Sequence, residues 1–134
     1  NIFQVANQIT IQGKYENRYD VTLLVNGFPV VQVELKRRGV EVKEAFNQVK
    51  RYQRHSYPGT LFEFIQIFII SNQDEVKYFA NNSAQSYAQT FFWTDEKNRK
   101  ISDLAEFAEA FLKPNFLACF VGEYIVTAEA YKIP

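Results

Sequence analysis

The sequence predicts an α/β domain, a mixed β-sheet with helices packed against it. Three observations predict it. An alternating hairpin, "RYDVTLLVNGFPVVQVELKRRG" at 18–39, comes first. A stretch of helical period follows at 41–55, and then a continuous apolar run, "FIQIFIISN", at 64–72. Strands, then a helix, then a strand apolar on both faces belong to a sheet that helices cover.

The elements follow in order. "FQVANQITIQG" (3–13) reads as a strand that Gly13 stops. Residues 18–26 and 29–36 form the second and third strands, and Asn26-Gly27 between them is a strong hairpin signal. Gly39 punctuates the chain. Val42, Ala45, Phe46, Val49 and Tyr52 then recur at helical spacing through 41–55, and Pro58-Gly59 makes a turn. "VKYFAN" (76–81) is the antiparallel or crossover neighbour of the apolar strand, and "TFFWT" (90–94) reads as another strand. Residues 102–112 make an amphipathic helix with Ser102 as N-cap and Pro114 past its end. Periodicity leaves "FLACFVGEYIV" (116–126) open between helical and extended.

A chain of 134 residues, 47% hydrophobic and 16% aromatic, fits one domain with a real core and argues against disorder. Fifteen basic residues balance fifteen acidic ones, so nucleic acid would have to be met by a local basic patch or a partner. No apolar run reaches the roughly 18 residues a membrane helix requires. Cys119 is the only cysteine, which excludes an internal disulfide, suits a reducing cytoplasm and reads as a buried thiol in its apolar run. His55 is the sole histidine and makes zinc improbable; it reads as a helix-end residue, and Trp93 and the phenylalanines as core. The chain lacks methionine and opens and closes as if within structure, so it reads as a piece, 1–134, of a longer protein.

The chemistry lies on the hairpin. Strand side chains alternate faces, which puts Asp20, Thr22 and Leu24 on one side and Val21, Leu23 and Val25 on the other. On the next strand Gln32, Glu34 and Lys36 alternate with Val31, Val33 and Leu35. The apolar faces must coincide to be buried, so the polar faces coincide too. A three-residue loop at 26–28 would place Asp20 opposite Glu34, with Cβ atoms roughly 4.5–5.5 Å apart. Two carboxylates that close repel, and one holds a proton unless a cation sits between them. Mg²⁺ is satisfied by few protein oxygens plus waters, and a lysine beside it can orient a water and offset charge on a phosphodiester. The competing reading is a solvated sheet face with an ordinary Glu-Lys pair.

In the helix "AFNQVKRYQRH", Gln48 and Tyr52 stack on one face in line with Ala45 and Glu41. Lys43, Lys50 and Arg54, with Arg51 beside them, form a second stripe. With Lys36, Arg37 and Arg38 they make a local basic surface able to contact DNA phosphates. An ordinary soluble helix face explains the stripe equally well.

The spacing D-x13-E-x-K followed by Q-x3-Y resembles the nuclease motif of the PD-(D/E)xK superfamily, in its RecB-like branch. The wider text "NRYDVTLLVNGFPVVQVELKRRGVEVKEAFNQVKRYQ", with "IFIISNQDEVKYFANN" and "FFWTDEKNRKISDLAEFAEAFL", resembles the N-terminal nuclease domain of the type I restriction enzyme R subunit. Tyr19 stands where the motif's name has proline.

The resemblance implies a restriction-endonuclease-like fold. It implies Asp20 and Glu34 as ligands of Mg²⁺, Lys36 as the residue positioning the attacking water, and Gln48 and Tyr52 as supporting residues at the site or its DNA approach. It implies a prokaryotic, cytoplasmic parent enzyme that moves double-stranded DNA with ATP, cuts it far from its recognition site, and works with modification and specificity subunits. The motor domains lie elsewhere, since no G-x-x-x-x-G-K-[ST] occurs here. Two alternatives are a RecB-like repair nuclease and a non-catalytic DNA-binding or docking module.

Overall fold

The computed structural model describes residues 2–12, 16–120 and 122. Five strands form one sheet in the order β1-β2-β3-β4-β5: Phe3–Gln12, Glu16–Val25, Phe28–Leu35, Ile67–Ser71 and Val76–Ala80. All neighbours are antiparallel except β3 and β4, which run parallel. A parallel pair needs a crossover, and helix α1 (Val42–His55) supplies it. Helices α2 (Leu104–Phe111) and α3 (Pro114–Cys119) follow the sheet.

The sheet separates two cores. Val42, Ala45, Phe46, Val49 and Tyr52 of α1 pack with Phe68 and Ile70 of β4 and Phe79 of β5. Val31, Val33, Ile67 and Ile69 pack with Phe107, Phe111 and Leu117 of α2 and α3 on the opposite side. β4 is therefore buried at all five positions, which is why its sequence shows no alternation. The result is the expected mixed sheet flanked by helices, a restriction-endonuclease-like α/β arrangement.

Several local expectations change. The β2–β3 connection is a two-residue turn, with Asn26 at φ 52° and Gly27 at φ 82°, instead of a three-residue loop. A bulge opposite Leu23 and Leu24 adds the missing residue, so Val21 still pairs with Val33 and the register toward Asp20 is the expected one. Residues 61–64 form a short 3₁₀ turn, so the strand foreseen at 64–72 starts only at Ile67. Residues 90–94 form no named strand. Phe91 makes one bridge with Tyr78 and Thr94 one with Lys100, and Trp93 turns toward Phe111 and Phe116.

Asp103, not Ser102, caps α2, its carboxylate accepting from Glu106 N–H at 2.9 Å. Pro114 opens α3 as its first residue and so decides the start of the 116–126 segment as helical. Cys119 is exposed, because Leu117 is the buried residue of α3 and a side chain two positions on faces the other way. Phe28, Phe64 and Phe91 are also exposed rather than core. Gly13 lies outside the described residues. No helix among the described residues is long and apolar enough to cross a membrane.

Candidate functional site

At Asp20 the sheet changes its presentation. Val21 and Leu23 face the α2/α3 core, yet Tyr19, of the same parity, is wholly buried on the α1 side among Tyr52, Tyr57 and Phe62. Strand β2 rolls between the two residues and aims the Asp20 side chain along the sheet toward β3. There Asp20 Oδ2 accepts from the Leu35 backbone N–H at 2.8 Å. The carboxylate thus takes over the pairing where the β2–β3 ladder stops.

Glu34 and Gln32 face α1, because Val31 and Val33 face the other core. The polar face of the hairpin is therefore covered by a helix rather than solvated, and Glu34 is only 2% exposed. Thr22 Oγ1–H donates to Gln32 Oε1 at 2.7 Å, which satisfies the pair next to the site. The lysine after β3 reaches the same helix. Lys36 Nζ donates to Gln48 Oε1, Gln48 Nε2 donates to the Tyr52 hydroxyl, and that hydroxyl donates to Glu34 Oε1 at 3.4 Å. Four side chains, from β3, the residue after it and α1, form one directed relay that ends on a carboxylate.

Burial first, and the neighbouring Asp20 carboxylate second, raise the Glu34 pKa to about 8; Lys36 and the Tyr52 hydroxyl pull it back down. Glu34 Oε2 is buried and receives no hydrogen bond among the described residues. Two carboxyls in contact, one with an orphaned oxygen, need either a shared proton or a cation. No group of three or more His, Cys, Asp or Glu side chains gathers among the described residues, so any cation here would have two carboxylates and would take its remaining ligands from backbone and water. That donor set suits Mg²⁺, which keeps most of its waters, and does not suit zinc.

Asp20 and Lys36 open onto a cleft of about 630 Å³, lined also by Gln8, Val21, Arg37 and Gln73. It lies at the C-terminal ends of the parallel pair β3 and β4, where Leu35 stands beside Ser71. This is the edge of an α/β sheet at which ligands commonly bind.

Residues 1–87 match the family model described as "Type I restriction enzyme R protein N terminus". The chain belongs to this family. The match holds all five residues of the cluster on β2, β3 and α1. The chain is 49% identical over 134 residues to the type I restriction enzyme SauCOLORF180P endonuclease subunit of Staphylococcus aureus (strain COL), covering 99% of this chain and 14% of that protein. It is 46% identical over 134 residues to the SsaAORF53P endonuclease subunit of Staphylococcus saprophyticus, again 99% of this chain and 14% of the relative. It is 42% identical over 131 residues to the EcoprrI endonuclease subunit of Escherichia coli, covering 94% of this chain and 42% of that relative. The domain thus spans a small part of the first two relatives.

Of the cations expected from sequence, Lys50 is drawn away from the solvent-facing stripe. Around α1, Arg51 lies roughly 60° from Gln48, and Arg54 and Lys43 lie a further roughly 60–80° round in the same direction, so these three share one flank of the helix. Lys50 is largely withdrawn from the surface. It is 9% exposed, donates to the Asn82 and Ser83 carbonyls at 2.8 and 3.3 Å, and covers the Phe46 ring. The stripe seen in sequence ignored the 82–83 segment that folds over it. Arg37 and Arg38 are exposed, and Arg38 pairs with Asp74 at 3.0 Å. Arg37 is the cation of this set that shares the cleft with Asp20 and Lys36.

Sequence reasoning passed over Gln8 and Gln73, which line the same cleft. No periodicity marks them, and their backbone conformations emerge only in the fold.

Proposed function

We propose that this domain is the DNA-cleaving unit of a type I restriction enzyme and hydrolyses phosphodiester bonds in the cleft above Asp20 and Lys36. The observation that carries this reading is the convergence of Asp20, Glu34 and Lys36, from three separate sequence positions, at one end of the β2–β3 pair. The relatives' names as endonuclease subunits support it.

In this reading Asp20 and Glu34 hold a Mg²⁺ ion. When bound, the ion would acidify a water and neutralise charge on the phosphate. Lys36 orients the attacking water and offers its charge to the phosphate oxygens. Gln48 restrains the lysine amine, and Tyr52 keeps Glu34 oriented and favours its ionised form. In the hydrolysis, water oxygen bonds to phosphorus as one P–O ester bond breaks. The water gives up a proton and the departing oxygen gains one, leaving a phosphate end and a hydroxyl end. Arg37 and Arg51 flank the site and would contact the backbone without reading sequence. Recognition, and ATP-driven movement of DNA to remote sites, then belong to the rest of the parent subunit and to its modification and specificity partners.

The test uses the full-length subunit in its working assembly. Asp20→Ala, Glu34→Ala and Lys36→Ala should each abolish double-strand cleavage, while ATP hydrolysis persists. Breaks made at the normal rate by any of the three would reject the assignment and favour a docking module.

A further inference from the structure

Four described residues other than glycine have a left-handed backbone: Gln8, Asn26, Gln73 and Asn98. The two asparagines sit in tight turns, where this conformation is ordinary. The two glutamines are different. Glutamine gains little from the left-handed region, which costs roughly 1–2 kcal/mol for a side chain that cannot bond locally as asparagine does. Both glutamines line the cleft that holds Asp20 and Lys36.

They stand at its two ends. Gln8 is on β1, opposite Asp20, in the one gap of a ladder whose register is the same before it (Asn7 with Val21) and after it (Ile9 with Tyr19). No residue is inserted there, so the φ of 56° is a local twist. It lets β1 follow β2 as that strand rolls. Gln73, at φ 77°, is the first residue of the β4–β5 turn after Asn72. Asn72 fixes that turn: its Oδ1 accepts from Asp74 and Glu75 N–H at 3.1 and 2.9 Å, and its Nδ2 donates to the Val40 carbonyl at 2.7 Å. From β1 to β4 is three strand spacings, about 14 Å, with Asp20 and Lys36 between. Both glutamines are exposed, and each carries two amide N–H donors.

We infer that Gln8 and Gln73 are positioning residues that hold the DNA backbone at the two ends of the cleft, each donating to a phosphate on one side of the bond above Asp20 and Lys36. A strand lying across the cleft spans several phosphates in this width. Donors at fixed positions set where the strand lies and its register on the protein. The inference rests on the nuclease reading given above.

Glycine adopts a left-handed φ freely, so Gln8→Gly and Gln73→Gly remove the amide while relieving the backbone. In the full-length subunit each should slow DNA cleavage about tenfold, the loss typical of one hydrogen bond to a charged group, with Tm not lowered. Gln8→Lys keeps the backbone demand and restores a phosphate donor. It should recover at least the parental rate and make cleavage more salt-sensitive, the logarithmic slope steepening by about one. Unchanged cleavage in both glycine variants, or a lysine variant no better than the glycine one, would overturn the inference. Asp20→Ala run alongside separates the two readings. If it still cleaves, the nuclease assignment is lost; if it is dead while Gln8→Gly and Gln73→Gly are fully active, only the role of the glutamines is.

Discussion

The Tyr52 hydroxyl of α1 donates to Glu34 Oε1 of β3 at 3.4 Å, so a helix residue adjusts the protonation of a strand carboxyl. This bond opposes the effect of burial and of Asp20, which together raise the Glu34 pKa to about 8. Tyr52→Phe deletes the donor and leaves the ring packing against Tyr19 and Tyr57. The Glu34 pKa then rises further. The cleavage rate plotted against pH should shift to higher pH, with a loss of several-fold near pH 7 and near-parental activity at about pH 9. An unshifted profile would show that Glu34 ionisation does not limit the reaction.

Glu34 also makes the stability of the metal-free domain depend on pH. Its folded pKa of about 8 lies above the ordinary glutamate value of about 4.3. Between these values the folded state binds more protons than the unfolded state, so stability is full below about pH 4 from this group and falls as pH rises toward 8. The loss is on the order of a few kcal/mol. Glu34→Gln should remove this slope, giving a variant that melts higher than the parent at pH 8 to 9 and does not cleave. Added Mg²⁺ should raise the parental Tm at pH 8 and leave that of Glu34→Gln nearly unmoved. Thermal melts at several pH values decide both points.

Gln48 receives the Lys36 amine and passes a hydrogen bond to Tyr52. Gln48→Leu keeps bulk and removes both bonds. We expect cleavage to fall by about 10- to 100-fold, as for loss of a group that orients ligands, with DNA binding unchanged. A drop confined to DNA affinity would place Gln48 on the DNA approach instead.

The basic residues of α1 should separate by burial. Lys50 ties the helix to the Asn82 and Ser83 carbonyls. Lys50→Met should lower stability by about 1–3 kcal/mol and leave the salt dependence of DNA binding unchanged. Arg51→Ala, on an exposed position beside Gln48, should do the reverse: stability within about 0.5 kcal/mol and a salt slope shallower by about one. Urea melts and salt titrations of DNA binding measure the two effects.

By itself the sequence determined the order of the five strands with α1 and α2, the both-faces burial of β4 and the membership of Asp20, Glu34, Lys36, Gln48 and Tyr52 in one pattern. These follow from local period, a two-residue turn signal and fixed spacing, which need no knowledge of distant contacts. Only the tertiary structure decided the surroundings of those residues. It showed that α1 covers Glu34, because the crossover between parallel strands lays the helix over the hairpin's polar face, and burial there raises the carboxyl's pKa. It withdrew Lys50 from the basic stripe through the 82–83 segment, more than thirty residues away in sequence. It also turned Cys119 outward and reduced "TFFWT" to single bridges. The twist at Gln8 and the turn at Gln73 were illegible beforehand, since the neighbouring strand imposes the first and the Asn72-fixed turn the second, and glutamine has no local propensity to announce either.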